Sequence, residues 1–156
     1  MLYFAYGSNM DVVQLRLRCP EARYICKARL DGYRLCFPAW SKLRETAVIS
    51  IEEAADAVWG VLYKLTISDL ARLDIREGFD LRRDRMRNIR NRGAVTVARS
   101  DGYVSAAETY VATPTPDPGR PSEQYIAYLI RLAVACELPE EYVYKLRALP
   151  GMALAA

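Results

Sequence analysis

The chain has 156 residues, of which 52% are hydrophobic and 26% charged, a composition typical of one globular domain and not of a disordered or fibrous chain. Its 22 basic residues face 19 acidic ones, and a net charge of +3 is too small to indicate nucleic-acid binding by itself. The sequence contains no histidine, which excludes Ser-His-Asp and Cys-His catalysis and histidine-bound metals.

The predicted elements begin with a strand at residues 2–6, a turn at 7–9 and a short helix at 11–18 that Pro20 stops. β-branched and aromatic runs then predict four mostly antiparallel strands, at residues 24–30, 33–37, 47–51 and 57–65. A short helix follows, with a capping box at residues 66–69, an apolar face that includes Leu70 and Leu73, and Gly78 just after its end.

The second half of the sequence predicts three more strands and two helices. The strands lie at residues 84–89, 94–98 and 107–111, and the proline-rich segment 113–121 is an extended connector. Helical spacing continues from Ile126 onward, and a last helix has Pro139 at its first position. These elements indicate an α+β fold with a strand-rich centre, as a single domain over residues 1–156.

The cysteines and the apolar runs indicate the cellular compartment in which the protein acts. The four cysteines form no C-x-x-C pair, and three of them lie in or beside apolar runs: Cys19, Cys26 and Cys36, with Cys136 as the fourth. No run approaches the roughly 20 apolar residues of a membrane span, and no basic segment with a cleavage site follows Met1. We therefore expect reduced, structural cysteines and a cytoplasmic protein.

The first candidate site is the loop at residues 6–10, where the first strand ends in a Gly-Ser turn directly before a helix. Several backbone N–H groups can converge there with the positive end of the helix dipole, so the loop suits a carboxylate or a developing oxyanion. The alternative is a purely structural turn in which Asn9 caps the helix.

The second candidate is Glu77, seven residues after Leu70 and four after Leu73, and therefore on the buried face of its helix. Burial and the negative end of the helix dipole both favour its protonated form, as in a general acid/base. The alternatives are an ion pair with a nearby arginine, or a side chain that reaches solvent beside Gly78. Asp74 shares the same face and is a second candidate.

Six arginines fall within eleven residues, at positions 82, 83, 85, 87, 90 and 92. In a strand, Arg83, Arg85 and Arg87 share one face, with a polar set at 84, 86 and 88 on the other. A solvated strand face, a phosphate-binding surface and the wall of a site for an acidic ligand are the alternatives. The lack of interleaved aromatic residues disfavours nucleic acid.

The last candidate is Tyr125, near the start of the helix that follows the proline-rich connector. Ser122 has the position of an N-cap, and Tyr125 shares a helix face with Leu129, Leu132 and Cys136. Its ring therefore points inward with a hydroxyl that needs a partner. An ordinary core tyrosine is the alternative to a residue of a binding pocket.

Several segments are similar to motifs of one known family. Residues 3–10 (YFAYGSNM) are similar to its Y-F-A-Y-G-S-N opening, 58–63 (VWGVLY) to its V-W-G-V segment and 73–78 (LDIREG) to its L-D-x-x-E-G segment, while 121–125 (PSEQY) and 138–142 (LPEEY) match its C-terminal part. In this order and spacing the segments resemble the γ-glutamylcyclotransferase family, in the superfamily that includes the AIG2-like proteins.

The resemblance implies a small mixed, mostly antiparallel β-barrel with flanking helices, and an enzyme that releases 5-oxoproline from a γ-glutamyl amide of an amino acid or other amine. The substrate's α-amine attacks its own γ-carbonyl, with Glu77 as general acid/base. The implied substrate-binding residues are Tyr3, Tyr6, Gly7, Ser8, Asn9 and Tyr125.

The resemblance implies no metal or other cofactor and no nucleic-acid or membrane partner, in a monomer or homodimer. Close relatives often carry a tyrosine after the Glu-Gly pair, where this chain has residues 79–84 (FDLRRD), with Asp84 in or near that place. The alternative function is a non-catalytic AIG2-like module that binds a small acidic ligand.

Overall fold

The computed structural model describes residues 1–149, so residues 150–156 of the predicted domain lie outside the described part. The strands are β1 (Leu2–Ala5), β2 (Arg23–Ser41), β3 (Thr46–Lys64), β4 (Arg90–Arg99) and β5 (Val104–Ala112). The α-helices are α1 (Val12–Arg18), α2 (Ile67–Glu77), α3 (Glu123–Ala135) and α4 (Glu140–Arg147), with short 3-10 turns at Ser8–Met10 and Arg85–Arg87.

The five strands close into a barrel in the order β1-β3-β2-β4-β5. Neighbouring strands are antiparallel except where the barrel closes, because β1 runs parallel to β5 with Tyr3 opposite Glu108. Side chains that fill the barrel, such as Phe4, Leu62 and Val97, are fully buried. The predicted fold class, a mixed and mostly antiparallel barrel with flanking helices, is confirmed.

The four strands predicted between residues 24 and 65 are in fact two strands of 19 residues each. The pairing of β2 with β3 shifts register between Asp31 and Tyr33 and again between Cys36 and Ala39. At the first shift Gly32 has a φ of +84°. A bulge interrupts the alternation of side chains along a strand without taking the chain out of the sheet. The turn residues at this place therefore mark a bulge and not the predicted loop.

The cap residues of α2 fix the position of the last turn of the helix. Thr66 Oγ1 accepts a hydrogen bond from the Asp69 amide at 3.0 Å, which confirms the predicted N-terminal cap. At the other end Gly78 has a φ of +70°, and a Cβ there would lie 2.7 Å from Cβ of Ile89. Both the positive φ and the contact with Ile89 require glycine at this position. Because Gly78 ends the helix, Glu77 is its last residue.

The prediction of a strand at residues 84–89 is wrong. Arg85–Arg87 forms a 3-10 turn, and the Asp84 side chain begins it by accepting a hydrogen bond from the Met86 amide at 2.8 Å. Met86 and Ile89 are 72% and 66% exposed, so the alternating pattern has no buried face to hold it in a sheet. The strands predicted at 94–98 and 107–111 exist, as parts of the longer β4 and β5.

The helices complete the core on the outside of the barrel. Ile126, Leu129 and Ala133 of α3 are buried, and Ser122 caps this helix as predicted, since its side chain accepts from the Tyr125 amide at 3.1 Å. All four cysteines are free. None of the helices within residues 1–149 combines the length and the apolar character needed to cross a membrane.

Candidate active site

A cavity of about 450 Å³ lies where the loop after β1 meets the C-terminal end of α2 and the N-terminal end of α3. The residues predicted for the site all line this cavity: Tyr3, Tyr6, Gly7, Ser8, Asn9, Glu77 and Tyr125. Barrel closure and two helix ends thus bring together side chains that are up to 122 positions apart in the chain. Their individual roles stay predictions.

The Glu77 carboxylate is buried, with 7% of the residue exposed, and both of its oxygens have a protein donor. Asn9 Nδ2 donates to Oε1 at 2.9 Å, and Arg90 Nη1 donates to Oε2 at 2.8 Å. The ion pair with an arginine, one of the alternatives that the sequence left open, is therefore present. It lies on the cavity wall, where it fixes the direction of the carboxylate.

Asn9 does not cap α1, so that interpretation is wrong. The cap is Asp11, whose side chain accepts from the amides of Val13 and Gln14. The Asn9 side chain turns inward instead. Besides its bond to Glu77, Nδ2 donates to the Tyr3 hydroxyl at 2.9 Å.

The other side of the Asn9 amide is also engaged, because Oδ1 accepts from Arg18 Nη1 at 2.8 Å. Asn9 is thus a neutral bridge between the carboxylate of Glu77 and the guanidinium of Arg18. It keeps the two charged groups apart while satisfying one oxygen of Glu77.

The loop after β1 lines the cavity with residues whose backbone amides have no acceptor among the described residues. Among the hydrogen bonds of residues 1–149, the amide N–H groups of Gly7, Ser8 and Asn9 have no protein acceptor. A Cβ on Gly7 would lie 2.8 Å from Cγ2 of Ile49, so only glycine lets the loop approach β3 this closely. Consecutive free N–H groups on a cavity wall are suited to bind an anion.

Two tyrosines of β1 and its end form the floor of the cavity. The Tyr6 hydroxyl donates to the Tyr110 carbonyl, and the Tyr3 hydroxyl, which accepts from Asn9, keeps its own proton for a ligand. Burial, and then the negative charge of Glu77, raise the pKa of Tyr3 well above its ordinary value. Both groups are therefore neutral phenols at physiological pH.

Tyr125 of α3 also lines the cavity. Its hydroxyl oxygen accepts from the Ile49 amide at 3.0 Å, and the Arg44 guanidinium lies 5.9 Å from its ring centre. Burial raises the pKa of Tyr125, so this hydroxyl too keeps its proton. The tyrosine therefore fixes β3 next to Gly7 and is also part of the cavity surface.

Asp74, the second acid/base candidate, lies outside the cavity. One of its oxygens accepts from the Tyr110 hydroxyl at 2.6 Å, and the other pairs with Arg92. Both oxygens are thus used by structural partners on β4 and β5, and the carboxylate holds α2 against the barrel.

The arginine run does not form one face, because it lies partly in a loop and partly in β4. Arg83 donates to the Gly78 carbonyl and to Asn88 Oδ1, and Asp84 is exposed and serves as a cap. Only Arg90 of this run reaches the cavity. The stretch after Gly78 therefore contributes to the site through Arg90, not through Asp84.

Sequence reasoning missed three cavity arginines and a tyrosine, each from a different segment: Arg18, Arg44, Arg76 and Tyr110. It included Arg90 only as one member of the arginine run and did not single it out as the partner of Glu77. Arg76 had the one available signal, since it immediately precedes Glu77 in the last turn of α2.

Comparisons with known proteins give the relatives of this chain. The AIG2-like family model matches residues 57–146. The chain is 34% identical to gamma-glutamylcyclotransferase of Homo sapiens and 31% identical to that of Mus musculus, each over 153 residues that cover 95% of this chain and 78% of the relative. A solved structure of "Gamma-glutamyl cyclotransferase" is 32% identical, with a TM-score of 0.84 over 96% of this chain and 87% of that one.

Proposed function

Because this chain belongs to the γ-glutamylcyclotransferase family, we propose that it releases 5-oxoproline from a γ-glutamyl amide of an amino acid or other amine, with Glu77 as the general acid/base. The non-catalytic binding module is not favoured, since the relatives are named as cyclotransferases. The observation that carries the proposal is the Glu77 carboxylate, buried on the wall of the cavity and held by two donors.

The reaction is a ring closure within the substrate. The α-nitrogen forms a bond to the γ-carbonyl carbon, and the bond from that carbon to the leaving nitrogen breaks, with no water consumed. The α-ammonium starts with three protons and the ring nitrogen of 5-oxoproline keeps one. Two protons therefore pass to the leaving amine, and Glu77 accepts and returns them.

The hydrogen bonds of Glu77 suit this task. Asn9 and Arg90 bind one oxygen each and so fix the carboxylate, while each oxygen retains a lone pair for a proton. A base whose direction is fixed can meet the α-ammonium without first losing rotational freedom. Arg90 and Asn9 act through Glu77 and are positioning residues in this proposal.

The loop amides stabilise the charge that the reaction creates. As the α-nitrogen attacks, the γ-carbonyl oxygen becomes an oxyanion, and the free N–H groups of Gly7 and Ser8 are donors of the required kind. The substrate's own α-carboxylate is a second anion that this loop and the Tyr3 hydroxyl can bind. Because ring closure needs the glutamyl chain curled, holding both ends of the chain provides much of the rate.

The remaining features of the proposal follow from the sequence. The substrate is a small γ-glutamyl molecule, and the protein chemistry uses no metal or other cofactor. Free, partly buried cysteines support action in the cytoplasm. We propose a monomer or homodimer that acts without nucleic acid or membrane.

The test is a mass-spectrometric assay for 5-oxoproline with the purified chain, in buffer with EDTA, over γ-glutamyl-alanine, γ-glutamyl-glycine and γ-glutamyl-butylamine. We expect equal amounts of 5-oxoproline and free amine from at least one of them. If the folded protein forms no 5-oxoproline but binds the same compounds, the proposal is overturned in favour of a binding module.

A further inference from the structure

Three arginines of the cavity have no acidic partner among residues 1–149. Arg18 ends α1, Arg44 lies in the turn between β2 and β3, and Arg76 lies in the last turn of α2. Within the part of the chain that the structure describes, none of the three takes part in an ion pair. The fourth cavity arginine, Arg90, is paired with Glu77, so three positive charges remain over the cavity.

Neutral groups hold two of these guanidinium groups in place. Arg18 donates to the side-chain oxygen of Asn9 at 2.8 Å. The Arg44 guanidinium carbon lies 5.9 Å from the ring centre of Tyr125 and 5.8 Å from that of Tyr128. Such contacts position a guanidinium without neutralising it, which leaves N–H donors and a full charge for a ligand.

The three charges act on one another. Burial lowers the pKa of Arg18, and the charges of Arg76 and Arg44 lower it further against the opposite effect of Glu77. The guanidinium groups thus share one region of space and repel each other there. An anion bound between them relieves this repulsion. Because the single negative charge of Glu77 does not balance the three arginines, the cavity favours a negatively charged ligand.

A second space continues from the cavity. A groove of about 650 Å³ between α1 and α2 shares Arg18, Ile75 and Arg76 with the cavity. Its other arginine, Arg72, is already paired with Asp69 at 2.8 Å. A ligand that extends from Glu77 toward the groove therefore meets Arg18 and Arg76, which line both spaces.

We propose that Arg18, Arg44 and Arg76 bind the leaving group and select γ-glutamyl amides whose leaving group carries two carboxylates, as in γ-glutamyl-glutamate. The inference rests on the proposed function, because it concerns the leaving group of that reaction. In the γ-glutamyl half the ammonium and carboxylate charges cancel. A neutral amino acid then brings one negative charge, whereas glutamate or aspartate brings two to meet the three arginines.

The test compares kcat/KM for γ-glutamyl-glutamate and γ-glutamyl-glutamine, which differ only by a carboxylate and an amide of the same size. We expect roughly tenfold higher kcat/KM for the acidic dipeptide, since charge-assisted contacts of Arg with carboxylate are stronger than neutral ones. The variants Arg44→Gln and Arg76→Gln are both at exposed positions. We expect each variant to lower the ratio of kcat/KM for γ-glutamyl-glutamate to kcat/KM for γ-glutamyl-glutamine about threefold or more.

The matched control is Arg16→Gln, which removes the same charge from an exposed position of α1 outside the cavity and leaves the ratio unchanged. Equal kcat/KM for both dipeptides overturns the leaving-group site while the proposed function stands. If a folded protein forms no 5-oxoproline from either dipeptide or from the neutral panel, the proposed function fails and this inference fails with it.

Discussion

Glu77 and Arg90, thirteen residues apart in the chain, form an ion pair on the cavity wall with Arg90 Nη1 2.8 Å from Glu77 Oε2. Burial disfavours the charge on Arg90, but the negative charge of Glu77 opposes this effect most strongly, and the pKa of Arg90 is raised above its ordinary value. The pair therefore joins a permanent cation to the proposed base.

The variant Arg90→Gln tests this pairing through the kinetics of the reaction. Loss of the guanidinium removes the charge-assisted hydrogen bond that fixes Glu77 Oε2, so we expect kcat to fall roughly 10-fold to 100-fold with a smaller change in KM. Arg92→Gln is the control, because it breaks a similar ion pair, with Asp74, outside the cavity. A kcat of Arg90→Gln equal to that of the control would contradict the role of Arg90.

Asn9→Ala tests the neutral bridge. The change leaves Glu77 Oε1 without its donor and separates Arg18 from its acceptor, so we expect a loss of about 1–3 kcal/mol in the free energy of unfolding. Because the base is then less well oriented, we also expect kcat to fall roughly 10-fold to 100-fold with a smaller change in KM.

The matched control for Asn9 is Asn91→Ala, since Asn91 is also buried and bonds to Asn88, Thr113 and the Arg85 carbonyl, away from the cavity. Urea denaturation and steady-state kinetics on both variants separate the two effects. If both variants lose stability alike and neither loses kcat, Asn9 is only a structural residue.

The positions of Glu77 and Tyr125 could be inferred from the sequence because they depend on local rules. Helical spacing from Leu70 and Leu73, together with a glycine that ends the helix, places Glu77 on a buried face of the last turn. Ser122 caps α3 and likewise fixes the start of the helix that bears Tyr125.

Arg90 could not be inferred, because its place beside Glu77 depends on how β4 enters the barrel. The sequence marks the run of six arginines that contains Arg90, but nothing local distinguishes Arg90 from the other five. The alternative in which Asn9 caps the helix was wrong for a similar reason: a cap two residues later, Asp11, serves the helix, and only the folded position of Glu77 gives Asn9 another partner.

Gly7→Ala tests the close approach of the loop to β3. The added methyl group would lie 2.8 Å from Cγ2 of Ile49, whose amide holds the Tyr125 hydroxyl, so both walls of the cavity move. We expect a destabilisation of about 1–3 kcal/mol, together with reduced kcat/KM.

The double variant Gly7→Ala/Ile49→Ala provides the control for Gly7, because it removes the opposing methyl group. We expect it to recover part of the activity that Gly7→Ala loses. An active, fully stable Gly7→Ala single variant would show that the loop does not need glycine here.

We predict that Cys19 makes the stability of the protein depend on pH. Burial, and then the charge of Asp69, raise the pKa of the Cys19 thiol to about 11, from 9.0 for an unperturbed thiol. Between these values the unfolded chain releases a proton that the native state keeps, so stability falls as pH rises from 9 toward 11. For one group the slope is at most about 1.4 kcal/mol per pH unit.

Denaturation under reducing conditions at several pH values between 8 and 10 measures this effect (roughly the range in which an unperturbed thiol ionises). We expect Cys19→Ala to lower stability at pH 8 through the lost packing, and to lose less stability than the wild type as the pH rises. Parallel pH dependences for the two proteins would contradict the assignment to Cys19.

The central claim is that Glu77 transfers the protons of the ring closure, and the most direct measurement compares Glu77→Gln with the wild type. The amide keeps the size of the side chain but cannot accept the proton, so we predict that kcat for 5-oxoproline release falls by about 10²–10⁴ while the protein keeps its fold. Wild-type turnover by a folded Glu77→Gln protein would contradict the account.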